Sequence, residues 1–468
     1  MQKDPSFEGA PSAYVQSINK KEEVGYGGAR FWHPMLHPAA MQTRKPIRIV
    51  RGDGCFVFDD QGHKLVDGVA GLWNVNVGHN RREVKDAIIN QLDELEYFQI
   101  FDGVSHPRAE ELSSKLIGML EPEGMTRVLY SSGGSDAVES ALKLARQYWK
   151  VLGKSDRTKF ISLRQGYHGT HFGAASINGN TVFRSNYEPL LPGCFHVDTP
   201  WLYRNAYTED PDELARICAG LLEREIQFQS PDTVAAFIAE PIQGAGGVIV
   251  PPASYWPLIR EVCDRYGVLL IADEIVTGFG RSGSMFGSRL WGVKPDIMCL
   301  AKGITAGYIP LGATTFNARI EAAFMANQDF TGAFMHGYTY SGHPVACAAA
   351  LACLKIVEEE NLPANARLMG DYLLGRLKPF EERFAAVGEV RGKGLMIALD
   401  LVSDKTTREP IDPMGGYADR VAEAARSAGV IVRPVGTKII LSPPLVLREE
   451  HADAIVNALE LGFSKVAL

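Results

Sequence analysis

Four short groups of residues could do chemistry, and each follows an apolar run. Ser131-Ser132-Gly133-Gly134-Ser135-Asp136 follows residues 128–130 and opens a helical pattern over 135–152. A glycine-rich turn at a helix N-terminus presents free backbone N–H groups at the positive end of the helix dipole, which suits a phosphate. An ordinary capped helix shows the same pattern. Asp273 ends the run 268–272. A carboxylate after five apolar residues is costly to bury alone, so it either holds a cation, such as a ring nitrogen, or serves as a cap or core ion pair. Lys302 lies two residues beyond the run 296–300 and precedes Gly303. A lysine in an apolar setting loses its proton readily and attacks carbonyls; the alternative is a surface lysine with a buried stem. Tyr167, in Tyr167-His168-Gly169 after residues 160–163, could stack on a flat ring or pack into a core. His168 and His171 have no acidic or cysteine ligand beside them, which argues against a metal.

Together these groups describe one ligand. It carries a phosphate, a flat ring with a basic nitrogen, and an aldehyde. Pyridoxal 5′-phosphate has all three.

The elements that must position these residues follow from periodicity. Residues 47–51, 54–60 and 64–68 read as short strands of a small antiparallel unit, preceded by a polar, glycine-rich arm over the first thirty residues. From residue 81 the texture alternates. Helical spacing over 82–98, 135–152 and 255–266 is interleaved with apolar runs at 128–130, 160–163, 234–239, 268–272 and 296–300. Such alternation predicts an α/β fold with a mostly parallel, buried sheet covered by helices on both faces. Beyond a long helix at 344–359, strands at 390–399 and 438–441 alternate with helices at 416–428 and 449–464, a smaller α+β unit. The expected division is 1–75 (arm and part of the small domain), 76–345 (large domain) and 346–468 (the rest of the small domain).

Composition narrows the classes. The chain has 468 residues, 46% hydrophobic and 22% charged, which excludes a disordered chain. A net charge of −7 gives no general pull toward nucleic acid. The densest basic cluster, Arg44, Lys45, Arg48 and Arg51, reads as a solvated surface segment. Seven cysteines, with no two spaced C-x-x-C, argue against a disulfide framework or a structural zinc site. The N-terminus lacks an apolar signal core, and the longest apolar stretch, 345–354, is too short to span a membrane. A cytoplasmic protein with no membrane partner is expected. A Walker A loop, a nucleophile elbow and an HExxH motif are absent, and Gly244-Ala245-Gly246-Gly247 lacks dinucleotide spacing.

The sequence resembles the class III (subgroup II) aminotransferases, of pyridoxal-phosphate fold type I (aspartate aminotransferase-like). The resemblance rests on Leu269-Leu-Ile-Ala-Asp-Glu-Ile-Val-Thr-Gly-Phe-Gly-Arg281, Lys294-Pro-Asp-Ile297, Ala301-Lys-Gly-Ile-Thr305 and Tyr308-Ile-Pro-Leu-Gly312, and covers residues 72–444. It implies that Lys302 bonds the cofactor aldehyde and that Asp273 pairs with the pyridine nitrogen. Ile275 and Tyr167 would then contact the ring, and Gly134 and Ser135 would hold the phosphate. The family's usual Ser-Gly-Ser-Glu is Gly133-Gly-Ser-Asp136 here, which leaves the backbone role intact and gives Asp136 a shorter arm. Glu240 matches the family's Glu-Pro. Thr339 matches the hydroxyl that reaches the phosphate of a neighbouring subunit, which implies a homodimer, or a tetramer, with active sites shared across the interface.

The resemblance also speaks to substrates. The 4-aminobutyrate and ornithine branches use a second glutamate to gate an arginine. Ala245 stands there, which speaks against a Glu-gated, 2-oxoglutarate-specific mechanism. The segment Gly71-Leu-Trp-Asn74, with Trp73, and Arg433, in Val430-Ile-Val-Arg-Pro434, resemble the pyruvate-dependent ω-amino acid branch. There the arginine pairs with the acceptor's carboxylate, a geometry that suits a guanidinium fork. For Trp73 the alternative is core or interface packing. The expected activity is ω-amino acid or amine:pyruvate transamination, with taurine, β-alanine, 4-aminobutyrate or putrescine-like donors and a ping-pong course. The competing readings are an aminomutase, a decarboxylating transaminase and a 2-oxoglutarate-dependent aminotransferase. A non-catalytic relative would be expected to lack Lys302.

Overall fold

The computed structural model describes residues 30–39 and 46–467. The expected N-terminal arm lies outside the described residues except for Arg30, as do Arg44 and Lys45. The described residues form two compact units, residues 30–39 and 46–51 with 58–63, and the remainder. In the first unit Asp59 shapes a turn: its Oδ1 accepts the backbone N–H groups of Gln61 (3.0 Å) and His63 (2.8 Å).

Three short strands, β1 (Ile49–Asp53), β2 (Phe56–Asp59) and β3 (Lys64–Asp67), precede the seven-stranded sheet on which the larger unit is built. In chain order its strands are β4 (Met125–Ser131), β5 (Lys159–Leu163), β6 (Cys194–Val197), β7 (Val234–Ala239), β8 (Leu269–Asp273), β9 (Ile297–Leu300) and β10 (Gly312–Asn317). They lie in the order β4-β10-β9-β8-β7-β5-β6, with β10 antiparallel to both neighbours and the other pairs parallel. Strand β7, Val-Ala-Ala-Phe-Ile-Ala, is buried at every position because helices cover both faces. One face packs Ala235, Ile238, Leu269 and Ile271 against α3 (Gly134–Val151). The other packs Phe237 and Leu270 against α5 (Pro211–Phe228) and α6 (Tyr255–Tyr266). Two helices, α1 (Arg82–Glu94) and α2 (Pro107–Met119), precede β4, and the short α4 (Phe172–Ser176) follows β5.

The C-terminal part carries a second sheet. Its strands β11 (Val387–Gly392), β12 (Ile397–Asp404), β16 (Lys438–Leu441) and β15 (Arg433–Val435) pair antiparallel in that order. The single strand expected over 390–399 is instead a hairpin. Gly394 at φ +57 reverses the chain there, and a Cβ on it would lie 2.4 Å from Ser282 C, so only glycine fits. Strand β14 (Val430–Ile431) pairs parallel with β3 (Lys64–Asp67), so segments from near both ends of the chain share a ladder.

Every candidate motif stands at the same edge of the large sheet. Asp273 ends β8, Glu240 follows β7, Lys302 follows β9, Tyr167 follows β5 and Ser131 ends β4. This is the carboxyl edge of the parallel strands, where open α/β sheets bind ligands.

Candidate active site

Asp273 is 2% exposed, and the fold supplies its partners. Its Oδ2 accepts from His168 Nδ1 at 2.8 Å, and its Oδ1 from the backbone N–H of Ile275 at 3.1 Å. Lys302 opens a short 3-10 turn at the end of β9 with φ +48, a left-handed conformation that costs a non-glycine residue free energy. Burial pulls its amine below the ordinary lysine range; Asp273 and Glu240 pull it up, and Arg433 pulls it down. An amine held in this way is closer to its neutral, nucleophilic form than a surface lysine.

Glu240 is buried and accepts two backbone N–H groups, from Tyr167 (3.1 Å) and Gly244 (2.7 Å). Burial pushes its carboxyl up to about 7, with His168 opposing and Asp273 reinforcing that rise. It therefore fixes the backbone on which Tyr167 stands. The Tyr167 ring meets Phe183 edge-on at 4.8 Å between centroids. Burial raises its hydroxyl, Asp273 and Glu240 add to the rise, and Arg433 lowers it.

The glycine turn is as tight as the sequence implies. Gly134 begins α3, and a Cβ on it would lie 2.9 Å from Ile275 Cδ1. Gly169 has φ +127, and a Cβ on it would lie 2.6 Å from Ser135 Oγ, which itself accepts from Thr170 N at 3.1 Å. Asp136 turns inward. Its Oδ2 accepts from Ser132 N at 3.1 Å, and its Oδ1 meets His171 Nε2 at 2.5 Å. The shorter carboxylate is thus occupied in capping the turn, which leaves the backbone to receive an anion.

Arg433 sits on β15, half-buried, and makes no ion pair among the described residues. Burial lowers its pKa while Tyr167 raises it, and its field reaches Lys302 as well. Lys302, Asp273, Glu240, Tyr167 and Arg433 thus act on one another electrostatically, with Gly134, Ser135 and Ile275 beside them. Trp73 is 6% exposed and packs with Ile242, Val248, Met396, Ala398 and Ile440, so most of its ring lies in a core cluster. Thr339 is exposed, and its carbonyl accepts from Tyr97 OH at 2.7 Å.

Two residues of the site lie outside the sequence reading. The sequence offers His168 only as a metal-ligand candidate, yet its Nδ1 hydrogen-bonds Asp273 across 105 residues of chain. Asn178 holds the backbone of His168 and Gly169. Glu274, beside Asp273, is fully buried and spends its carboxylate on Thr277, Gly287 and Ser288, which ties down the loop that follows β8.

The chain belongs to the class-III aminotransferases: the family model "Aminotransferase class-III" matches residues 39–462. A solved amine transaminase from an uncultivated Pseudomonas species, in its PLP-bound form, is 61% identical; the match covers 94% of this chain and 99% of that one, with a TM-score of 0.93. The putrescine–pyruvate aminotransferase of Pseudomonas aeruginosa is 40% identical over 89% of this chain and 90% of its own length. The diaminobutyrate–2-oxoglutarate transaminase of Halomonas elongata is 40% identical over 90% of this chain and 91% of its own. The protein is an enzyme that moves amino groups between small amines and keto acids, with pyridoxal phosphate as cofactor. The residues at the sheet edge fit that cofactor. The glycine cradle admits no Cβ at Gly134 or Gly169, and a carboxylate, an aromatic ring and a lysine of lowered pKa stand at the same edge of the sheet and influence one another.

Proposed function

We propose that this enzyme transfers the amino group of an ω-amino acid or amine to pyruvate, giving an aldehyde or ketone and L-alanine by a ping-pong course. The observation that carries this reading is Arg433, a half-buried guanidinium without a carboxylate partner among the described residues. Ala245 stands where a gating glutamate would otherwise pair with it. A small keto acid brings the missing anion.

When bound, pyridoxal phosphate supplies an aldehyde that condenses with amines and a ring that accepts electrons. The backbone of Gly134 and Ser135 receives the phosphate. Tyr167 and Ile275 would contact the ring, and Asp273 would accept a hydrogen bond from the ring nitrogen and so keep a proton on it. Glu240 holds the Tyr167 backbone in register. Lys302 holds the cofactor at rest. Its amine, held toward the neutral form by burial, would serve as base and then acid toward the donor carbon's proton. Arg433 forks the acceptor carboxylate, and Trp73 backs the wall on the substrate side.

The domain division 1–75, 76–345 and 346–468 belongs to this reading. It is supported by the span of the large sheet, whose strands all fall between Met125 and Asn317, and by the ladder between β3 and β14. We also read the enzyme as a homodimer, with Thr339 facing the partner's phosphate. Phe98, Phe101, Met335 and Tyr340 support this, since all are exposed apolar side chains near Thr339 in sequence or joined to it through Tyr97. A cytoplasmic setting fits seven free cysteines, and no helix among the described residues is long and apolar enough to cross a membrane.

The test uses purified enzyme without keto acid. Each candidate donor is added while the visible absorbance of the bound cofactor is followed. Bleaching by a diamine or ω-amino acid, reversed by pyruvate and not by 2-oxoglutarate, is the expected result. Reversal by 2-oxoglutarate alone would overturn the acceptor assignment. A coloured enzyme that no donor bleaches would overturn the transfer itself.

A further inference from the structure

We infer that His168 is a positioning residue for the cofactor ring, acting through Asp273, and that Asn178 locks it in place. The inference rests on the reading of Asp273 as the ring-nitrogen partner. Its starting point is a chain of buried hydrogen bonds. Asn178 is fully buried and grips the His168–Gly169 peptide from both sides. Its Oδ1 accepts the His168 N–H at 2.6 Å, and its Nδ2 donates to the Gly169 carbonyl at 2.9 Å. His168, 1% exposed, then meets Asp273 Oδ2 through Nδ1 at 2.8 Å. A carboxylate oxygen accepts, so Nδ1 carries the hydrogen. Nε2, buried on the far side of the ring, has no hydrogen-bond partner among the described residues. The imidazole therefore has one hydrogen-bonding task, and it is directed at Asp273.

Three consecutive residues share this bracket. Tyr167 presents its ring and is held by Glu240 through its N–H. His168 holds Asp273. Gly169, at φ +127, lets the backbone close to within contact of Ser135 in the phosphate cradle. One clamp at Asn178 thus fixes the relative positions of the stacking ring, the carboxylate and the cradle. Asp273 has two oxygens, and Ile275 N holds one of them. The bond from His168 removes the remaining rotation of the carboxylate. The free lone pairs are then held in one direction rather than sweeping an arc, which is what a ring N–H donor would need. A merely structural histidine would satisfy a buried carboxylate without this consequence for the ring.

The test compares four variants as folded apoenzyme and with cofactor restored. In H168N the amide nitrogen takes the place of Nδ1. In H168Q it reaches the place of Nε2 and leaves Asp273 Oδ2 without its donor. Both substitutes are polar and no larger than histidine, so thermal melting of the apoenzyme checks that both fold. The measured quantities are the dissociation constant of pyridoxal phosphate from the apoenzyme and the split between kcat and KM for the donor. A hydrogen bond to a charged group is worth roughly tenfold or more in an equilibrium constant. H168Q and N178A are expected to weaken cofactor binding at least about tenfold and to lower kcat with little change in donor KM. H168N is expected to stay within about threefold of the parent, because it keeps that bond. D273N separates the two layers. If it leaves cofactor binding and kcat unchanged, the reading of Asp273 fails. If D273N is impaired while H168Q matches H168N, Asp273 stands and the role of His168 is overturned.

Discussion

Replacing Arg433 with leucine tests the acceptor site most directly, because stability and function should move apart. The guanidinium is half-buried with no carboxylate partner among the described residues, and burial already lowers its pKa. Leucine keeps much of the volume and removes an uncompensated charge, so the melting temperature should hold or rise. Function should suffer. A guanidinium fork gives a carboxylate two charge-assisted hydrogen bonds, each worth roughly 1.5–3 kcal/mol. Taking the lower end gives about 3 kcal/mol for the pair. At about 1.4 kcal/mol per tenfold, that is a rise of more than a hundredfold in the KM for pyruvate. The assay is the acceptor half-reaction: enzyme bleached by a donor is mixed with pyruvate, and the return of colour is timed. An aldehyde acceptor without a carboxylate serves as control and should react with R433L much as with the parent. A pyruvate KM within about threefold of the parent, or an equal loss with the aldehyde, would refute the assignment.

Two further outcomes follow from the same geometry. Lys302 adopts φ +48, so Lys302→Gly should abolish amino transfer and yet melt higher than the parent apoenzyme, by the order of 1 kcal/mol that a strained non-glycine residue costs; a lower melting point would deny the strain. Glu240 titrates at about 7 in the fold against an ordinary 4.5, so the folded protein keeps a proton that the unfolded chain has released between those values. Its contribution is therefore fully present below about pH 4.5 and falls away as pH rises to about 7. E240Q removes that slope, so its melting temperature relative to the parent should improve from pH 5 to pH 8, and a constant difference over that range would contradict the shift.

Legibility differed from one element to the next for physical reasons. Strand β7 is an unbroken apolar run because both faces of a parallel sheet are covered, and its ends match the sequence reading. Strand β10, Gly-Ala-Thr-Thr-Phe-Asn, gave no such signal. Its Thr314 is fully buried because the hydroxyl donates to the Ala137 carbonyl at 2.7 Å, a partner 177 residues away. The β11–β12 hairpin was readable in Arg391-Gly-Lys-Gly394, but the apolar residues on either side masked the turn as one strand. Lys302 and Asp273 stood out because a charge directly after an apolar run needs a reason. His168 did not, since nothing local in Tyr-His-Gly shows that the ring turns to a carboxylate from another strand. Trp73 was read with core packing as its alternative, and its 6% exposure agrees with that alternative for most of the ring.

The segment between Glu240 and Val248 bears on why Arg433 has no ion pair among the described residues. Glu240 Oε2 holds the Gly244 N–H at one end of the turn. At the other end Arg391 Nε donates to the Gly247 carbonyl at 3.0 Å and to that of Val248 at 3.2 Å. Arg391 is itself anchored on Glu389 and Asp400. Gly246 packs so closely that a Cβ on it would lie 2.5 Å from the Gln165 carbonyl oxygen. A turn fixed at both ends and packed in the middle has little freedom to bring any other group forward, and the residue it does present, Ala245, carries no charge. The two buried carboxylates of the sheet edge are committed as well, Asp273 to His168 and Ile275 and Glu240 to two backbone N–H groups. The positive charge of Arg433 is therefore left to be balanced by what enters the site. This favours an anionic acceptor in one half-reaction and places no carboxylate requirement on the donor in the other.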